Sequence, residues 1–415
     1  MRIAFFVGEF PALTQTFILN QITGLLDRQH EVDIFATCPP KSPLMHTEVT
    51  RYGLLVRTYY QNVPRSLTMR VLKGAGLALA SLFQNPGLTT RSLNVVRYGP
   101  LAASLALLYG TRPLLPKRTY DIVHCHFGPY GLLAVGLRDL GLLEGRIITT
   151  FHGYDVTSLP RRYGRSIYAF LFEHGELYTV NSSFTAQQAK RLGCPPDRII
   201  RLPMGADLSR LPFKERHAAP TDCVHILTVG RLVEVKGIEY GIRALARIVA
   251  EFPNIRYQIV GDGPLRRRLE QLTDQLGLRT HVEFLGRRTR DQVVALYATA
   301  HLSLLPSIVA RDGAEEGQGL VLVEAQASGL PVIASRVGGI PETVNEGGSA
   351  LLVPPCDADA LAEGLRVLLR RRELWGPMGR AGRLHVETHY DIEKLNDELV
   401  RIYQRMLRAH AGIPA

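Results

Sequence analysis

The sequence predicts an α/β protein of two doubly wound, Rossmann-like domains facing across a cleft. Three observations carry that prediction. The chain has 415 residues, more than one ordinary core accommodates and enough for two domains of about 200 residues. Short segments that are apolar throughout, rather than alternating, recur along it, as strands covered on both faces require. Stretches of helical spacing separate these segments, which favours parallel βαβ units.

In the first half the strand segments are IAFFV (3–7), VDIFA (32–36), DIVHCHF (121–127), IITTF (147–151), LYTVN (177–181) and IIRLP (199–203). The first of these reads as a buried strand rather than a leader. Its apolar run stops at Gly8 and Glu9, with no small-residue cleavage site after it. In the second half the segments are VHILTVG (224–230), YQIVG (257–261), VEFLG (282–286), LSLLP (302–306), PVIAS (331–335) and ALLVP (350–354). The polar, Pro-containing stretch LSRLPFKERHAAPTD (208–222) is the predicted boundary. It divides a domain over 1–210 from one over 222–390. Residues 391–410 place Leu395, Leu399, Ile402 and Met406 at helical spacing, so a final helix and the GIPA tail form a segment 391–415.

Charge is unevenly spread. The net charge is +11, and residues 1–250 carry 29 Lys/Arg against 17 Asp/Glu. From Val49 to Tyr120 there are ten basic residues and no acid. Apolar stretches at 67–83 and 101–110 lie among them and read as amphipathic or buried helices. This pattern suits an anionic membrane surface or a lipid diphosphate. Nucleic acid is disfavoured, because basic and aromatic residues do not interleave as stacking platforms do. No run of about 18 uncharged apolar residues predicts a membrane-spanning helix. Five scattered cysteines form no C-x-x-C pair, which argues against a disulfide framework or structural zinc and for a reducing cytoplasm.

Ligands of open α/β sheets bind beyond the carboxyl ends of strands, so the loops after the strands are where chemistry is expected. In GAEEGQGLVLVEAQASG (313–329), Glu316 sits in such a loop and Glu324 in the helix that follows. Between them Gly317 and Gly319 allow close backbone approach, with Gln318 and Leu320 at the helix start. Unpaired amides there favour anionic or hydroxyl oxygens. A diphosphate flanked by two polyols fits, which describes a nucleotide sugar. Arg231 and Lys236 follow the strand 224–230 and are placed to clamp a diphosphate. Gly261 and Gly263 form a turn at another strand end. His152 and Asp155 follow the strand 147–151. His124 and His126 share one strand face, with no third metal ligand evident. Asp357 and Asp359 spell a metal-binding Asp-x-Asp, but ahead of ALAEGLRVLLR they read as a helix cap.

These stretches resemble retaining glycosyltransferases of family 4. The likeness rests on Glu316-x7-Glu324, GRLVEVKG (230–237), IVGDGPLRRRLE (259–270), SGLPVIASRVGGIPETV (328–344) and LPMGAD (202–207). FPALTQTFILNQI (10–22) and FHGYDVT (151–157) look most like bacterial exopolysaccharide enzymes of the colanic-acid type. The resemblance implies the GT-B fold, with the last helix returning toward the first domain. It implies transfer of a sugar from a UDP- or GDP-sugar to a hydroxyl of a lipid-linked saccharide, with retention of configuration. It implies no metal and no cofactor beyond the sugar nucleotide, and a cytoplasmic enzyme peripheral to the inner membrane face. Glu316, His152, Arg231 and Lys236 would be catalytic. Glu324, Gly317, Gln318, Gly319, Leu320, Gly261, Gly263 and Gly8 would hold the donor, and Thr14, Gln15 and Thr16 would line the acceptor side. The first strand departs from the family in having one glycine, Gly8, where a glycine-rich loop is usual.

Two other functional classes fit the sequence less well. A dinucleotide oxidoreductase needs G-x-G-x-x-G after the first strand, and GEFPAL does not supply it. A non-catalytic sugar-nucleotide or membrane-binding protein of the same fold is opposed by the intact Glu316/Glu324 and Arg231/Lys236 pairs.

Overall fold

A computed structural model describes residues 1–40, 45–64, 66–115, 117–217 and 223–410. Strands β1 (Arg2–Glu9), β2 (Glu31–Cys38), β3 (Thr58–Tyr60), β4 (Arg118–His126), β5 (Leu143–Phe151), β6 (Leu177–Val180) and β7 (Ile199–Arg201) form one sheet. Its order is β3-β2-β1-β4-β5-β6-β7, with every pairing parallel. Strands β8 (Val224–Val229), β9 (Ile255–Val260), β10 (Val282–Gly286), β11 (Leu302–Leu305), β12 (Val332–Ser335) and β13 (Ala350–Val353) form the second, in the order β10-β9-β8-β11-β12-β13, also parallel. Each apolar run named above became a strand. The sequence reading missed β3, a half-buried edge strand of three residues too short to show a pattern. Tyr59 is held there by stacking on Phe35 at 5.3 Å and by Arg118 over its ring.

Both sheets reverse order at one place, between β1 and β4 and between β8 and β11. Loops leaving two adjacent strands in opposite directions open a crevice at that point. The loops after β8 and β11 carry Arg231, Lys236 and Glu316.

The chain passes between domains twice, side by side. Ala206 donates its N–H to the Tyr390 carbonyl (2.9 Å), and Ile392 donates to that of Ala206 (3.1 Å). The stretch before β8 is not a loose tether. Leu211 is buried with second-domain side chains, and the buried Arg216 guanidinium donates to the carbonyls of Tyr297, Ala298 and Ser328. Part of the predicted boundary, 218–222, lies outside the described residues, as does the GIPA tail. The helix Ile392–His410 returns to the first domain. Its Leu399, Ile402 and Tyr403 pack with Ile3, Phe5, Ile18 and Ile22, and Arg28 bonds Glu393 and Asp397.

The two apolar stretches of the basic region part company. Leu101, Leu107, Leu108 and Tyr109 are core. The helix Leu67–Gln84 buries only Gly74, and Leu67, Leu72, Leu79 and Phe83 are 61–86% exposed.

Candidate active site

At the switch point between β8 and β11 stands an ion pair. Lys236 Nζ donates to Glu316 Oε2 at 2.5 Å, and each side chain is only 15% exposed. Two loops bring them together. Gly237, just past Lys236, has a left-handed φ of +57°, and a Cβ there would meet the Pro306 carbonyl at 1.9 Å. The loop after β8 therefore lies directly on the end of β11. Behind Glu316, Gly339 donates its N–H to the Glu316 carbonyl at 2.8 Å. Arg231 is exposed and forms no ion pair among the described residues, and its charge acts on Tyr154 of the first domain.

Backbone contact joins the domains beside this pair. A Cβ on Gly317 would meet the His152 carbonyl oxygen at 2.1 Å, and one on Gly153 would meet the Gly317 Cα at 3.1 Å. Ser182 Oγ donates to the Gly317 carbonyl (2.6 Å), and Asn181 Nδ2 to that of His152 (3.2 Å). Sequence reasoning passed over Asn181 and Ser182. They directly follow β6, so the rule that chemistry gathers at strand ends would have found them.

Glu324 lies in the helix Leu320–Ala327, capped by Gly319 at φ +86°. Burial raises its pKa, partly offset by Arg290 and by the Tyr297 hydroxyl, which donates to Oε2 at 3.1 Å. This carboxylate carries a desolvation cost in the free protein, as expected of one that awaits hydroxyl partners. Gln318 differs from the expectation that it faces a donor. Its amide oxygen accepts from Met204 N and its amide nitrogen donates to Met204 O, both at 2.8 Å. The side chain is spent on the crossing between domains.

Three other glycines are explained by packing. A Cβ on Gly261 would meet the Gly230 carbonyl at 1.9 Å, and one on Gly263 the Leu232 carbonyl at 2.4 Å. Both let this turn support the backbone that carries Arg231. Gly8 lies within β1 against the Tyr130 hydroxyl, which a Cβ would approach to 2.4 Å. On the acceptor side, Thr14 is exposed, Thr16 opens the helix Thr16–Asp27, and the buried Gln15 Oε1 has no partner among the described residues.

A row of histidines stands behind His152. His124 and His126 stack at 4.5 Å, and His126 and His152 at 5.2 Å. Burial holds His124 and His152 down to about 3, and His126 well below its ordinary value, so all three are neutral at physiological pH. His124 bonds Tyr403 of the returning helix (2.6 Å) and Thr150 (2.7 Å). His126 Nδ1 lies 3.0 Å from His152 Nε2, while His126 Nε2 is buried without a partner. One proton lies in the shared bond. An orphaned N–H is rarer than an orphaned acceptor, which favours the proton on His126 Nδ1. His152 then carries its own proton on Nδ1 and offers a donor.

Asp155, fully buried, accepts from the N–H groups of His152 (3.0 Å), Gly153 (2.9 Å) and Gly128 (3.1 Å). Burial pushes its pKa up to about 6 against those bonds. It fixes the loop that holds His152. Asp357 caps the helix Ala358–Arg370 through the N–H groups of Asp359 and Ala360, and Asp359 pairs with Arg247.

Comparison with known proteins identifies the family and the fold. Residues 14–210 match the model of Glycosyltransferase Family 4, and residues 209–385 that of Glycosyl transferases group 1. The chain is 36% identical to a putative colanic acid biosynthesis glycosyltransferase, WcaL, of Salmonella typhimurium, over 88% of this chain and 90% of that one. This chain belongs to glycosyltransferase family 4. The family 4 chain is also 32% identical to the amylovoran biosynthesis glycosyltransferase AmsK of Erwinia amylovora, over 98% of its length and all of the relative's. Its GT-B fold matches sucrose-phosphate synthase from Thermosynechococcus elongatus at a TM-score of 0.71 and 22% identity, covering 99% and 100% of the two chains. It matches Anabaena HepE in complex with UDP and glucose at 0.71 and 16%, covering 97% and 99%.

Proposed function

We propose that this glycosyltransferase moves a sugar, with retention, from a UDP- or GDP-sugar to a lipid-linked saccharide in exopolysaccharide biosynthesis. The observation that carries the reading is the Lys236–Glu316 pair at the β8/β11 switch point, with Arg231 on the same loop as Lys236 and the His152 backbone against Gly317. The colanic acid and amylovoran relatives support the pathway class. HepE, solved with UDP-glucose, supports the donor class.

Arg231 and Lys236 neutralise the departing diphosphate, assisted by the amides at Gly319 and Leu320. Fixed cations in this position do the work that a metal does elsewhere, so the transfer proceeds without one. Glu316 accepts bonds from sugar hydroxyls, and Glu324 from the ribose. His152 donates to the sugar from the first domain. The bond from the anomeric carbon to the phosphate oxygen breaks. The acceptor oxygen forms its bond on the same face, and its proton passes to the phosphate oxygen that leaves.

Release of nucleotide from a panel of UDP- and GDP-sugars, with and without EDTA, tests this. The expected result is slow, EDTA-resistant hydrolysis of one donor, lost in Glu316→Ala and Glu324→Ala. Release unchanged in both variants overturns the site.

Membrane seating belongs to the same proposal. Among the described residues no helix is long and apolar enough to cross a membrane. The exposed apolar side chains of Leu67–Gln84 have Arg70 and Lys73 among them, which suits an anionic interface. Sedimentation with anionic vesicles at low salt should be lost in Leu72→Asp/Phe83→Asp. Wild-type protein that ignores such vesicles refutes it.

A further inference from the structure

A second pocket lies across the domain seam. It has a volume of about 290 Å³ and is lined by Arg161, Arg165 and Arg191 of the first domain and Gly313 and Glu315 of the second. Arg161 reaches across the seam: a Cβ on Gly313 would lie 2.3 Å from its guanidinium carbon. The three arginines make no hydrogen bond or ion pair among the described residues. Elsewhere on this molecule arginines pair readily, as Arg97 does with Asp139 and Arg279 with Asp274. The one carboxylate in the pocket is Glu315, which Arg161 and Arg191 attract while burial raises its pKa. Three cations around one acid leave the pocket net positive.

Like charges gathered in a concave space repel one another and cost stability unless something anionic enters. Guanidinium groups suit planar and tetrahedral oxyanions, because their forked N–H donors match carboxylate and phosphate. The pocket wall begins at Val156 and Thr157, four residues beyond His152, and Glu315 is next to Glu316. The pocket is therefore built on the same loops as His152 and Glu316, and neither Arg231 nor Lys236 lines it.

We propose that this pocket is an anion subsite that takes a carboxylate or phosphate group carried by the saccharide acceptor. The assignment to the acceptor rests on the donor site described above, whereas binding of an anion here does not. The site selects acidic acceptors and, because Arg161 and Gly313 belong to different domains, it couples acceptor binding to closure of the seam.

The test uses the full chain and calorimetric titration with D-glucuronate, inorganic phosphate and neutral methyl α-D-glucoside, with UDP as a separate probe of the donor site. Arg161→Gln/Arg191→Gln and Arg165→Gln replace exposed side chains, and a thermal melt checks that each variant folds. The expected result is binding of at least one anion, weakened about tenfold or more in the double variant, with UDP affinity unchanged. Tighter glucuronate assigns an acidic sugar, and tighter phosphate a phosphorylated carrier. Failure of both anions to bind wild type, equal binding of the neutral glucoside, or variants that bind as wild type does would each overturn the proposal. UDP that fails to bind wild type while the anions still bind would instead count against the donor site and leave the pocket standing.

Discussion

Gly317→Ala separates catalysis from folding. The added methyl would lie 2.1 Å from the His152 carbonyl oxygen, 2.9 Å from its carbon and 3.1 Å from Asn181 Nδ2. The nearest obstacle is backbone, so no side chain can swing away to relieve it. Gly317 is not in the left-handed region, and alanine suits its backbone. Restoring the 3.4 Å of ordinary contact needs the two surfaces to part by about 1.3 Å. Every obstructing atom belongs to the first domain and Gly317 to the second, so the least costly response is a wider cleft. That loses the bond from Ser182 to the Gly317 carbonyl and draws His152 away from Glu316. A misplacement of about 1 Å costs about 10²-fold in rate, or about 2.7 kcal/mol of barrier. Each domain keeps its own core, so the melting temperature should change little. UDP affinity, set within the second domain, should stay within about threefold. Steady-state turnover, UDP titration and a thermal melt on one preparation measure all three. Wild-type turnover would refute the reasoning, and so would loss of folding, because the contact would then be structural rather than a closure surface.

Three further outcomes follow from the buried titratable groups. Glu324 has its folded pKa above the ordinary 4.5, so the folded state binds more protons and loses stability as pH rises past that value. Glu324→Gln should thus be more stable than wild type at pH 7 in urea unfolding, with the gain vanishing below about 4.5, and should bind UDP more weakly. Asp155→Ala strands three buried amides and should cost on the order of 3 kcal/mol by denaturant unfolding, with turnover falling as His152 loses its support. The histidines have the opposite sign to Glu324. Their folded pKa values lie below 6.5, so the stability they contribute is full above 6.5 and lost on acidification. Asp155 and Glu324 oppose that slope, and a comparison of variants isolates it. The stability of His126→Phe relative to wild type should rise by about 1.4 kcal/mol per pH unit from pH 6 to pH 4.

How far the sequence could be read depended on the range of each interaction. Twelve of thirteen strands were visible because burial on both faces writes an unbroken apolar run into a short segment. β3 was not, because three half-buried residues at an edge leave no such trace. The helix Leu320–Ala327 was visible for the same local reason, whereas the cap formed by Gly319 was not, since that glycine read as a place of close ligand approach. Glu316, Lys236 and Arg231 could be named from their positions after strands, since a parallel sheet sends its loops to one end. Gln318 was named too, but its amide turns to Met204, a partner 114 residues away that nothing local reveals.

The sequence by itself determined two parallel sheets, a final amphipathic helix and the residue types available at the strand ends. These follow from hydrophobic periodicity, which acts between neighbours in the chain. The tertiary structure decided which of those residues meet. It placed Lys236 on Glu316, spent Gln318 on the crossing, and lined up His124, His126 and His152 behind the cleft. It also left the helix Leu67–Gln84 exposed while burying Leu107 and Leu108, although both stretches read as amphipathic or buried helices. Burial is a property of the surface that arrives opposite, and strand order and domain closure set that surface.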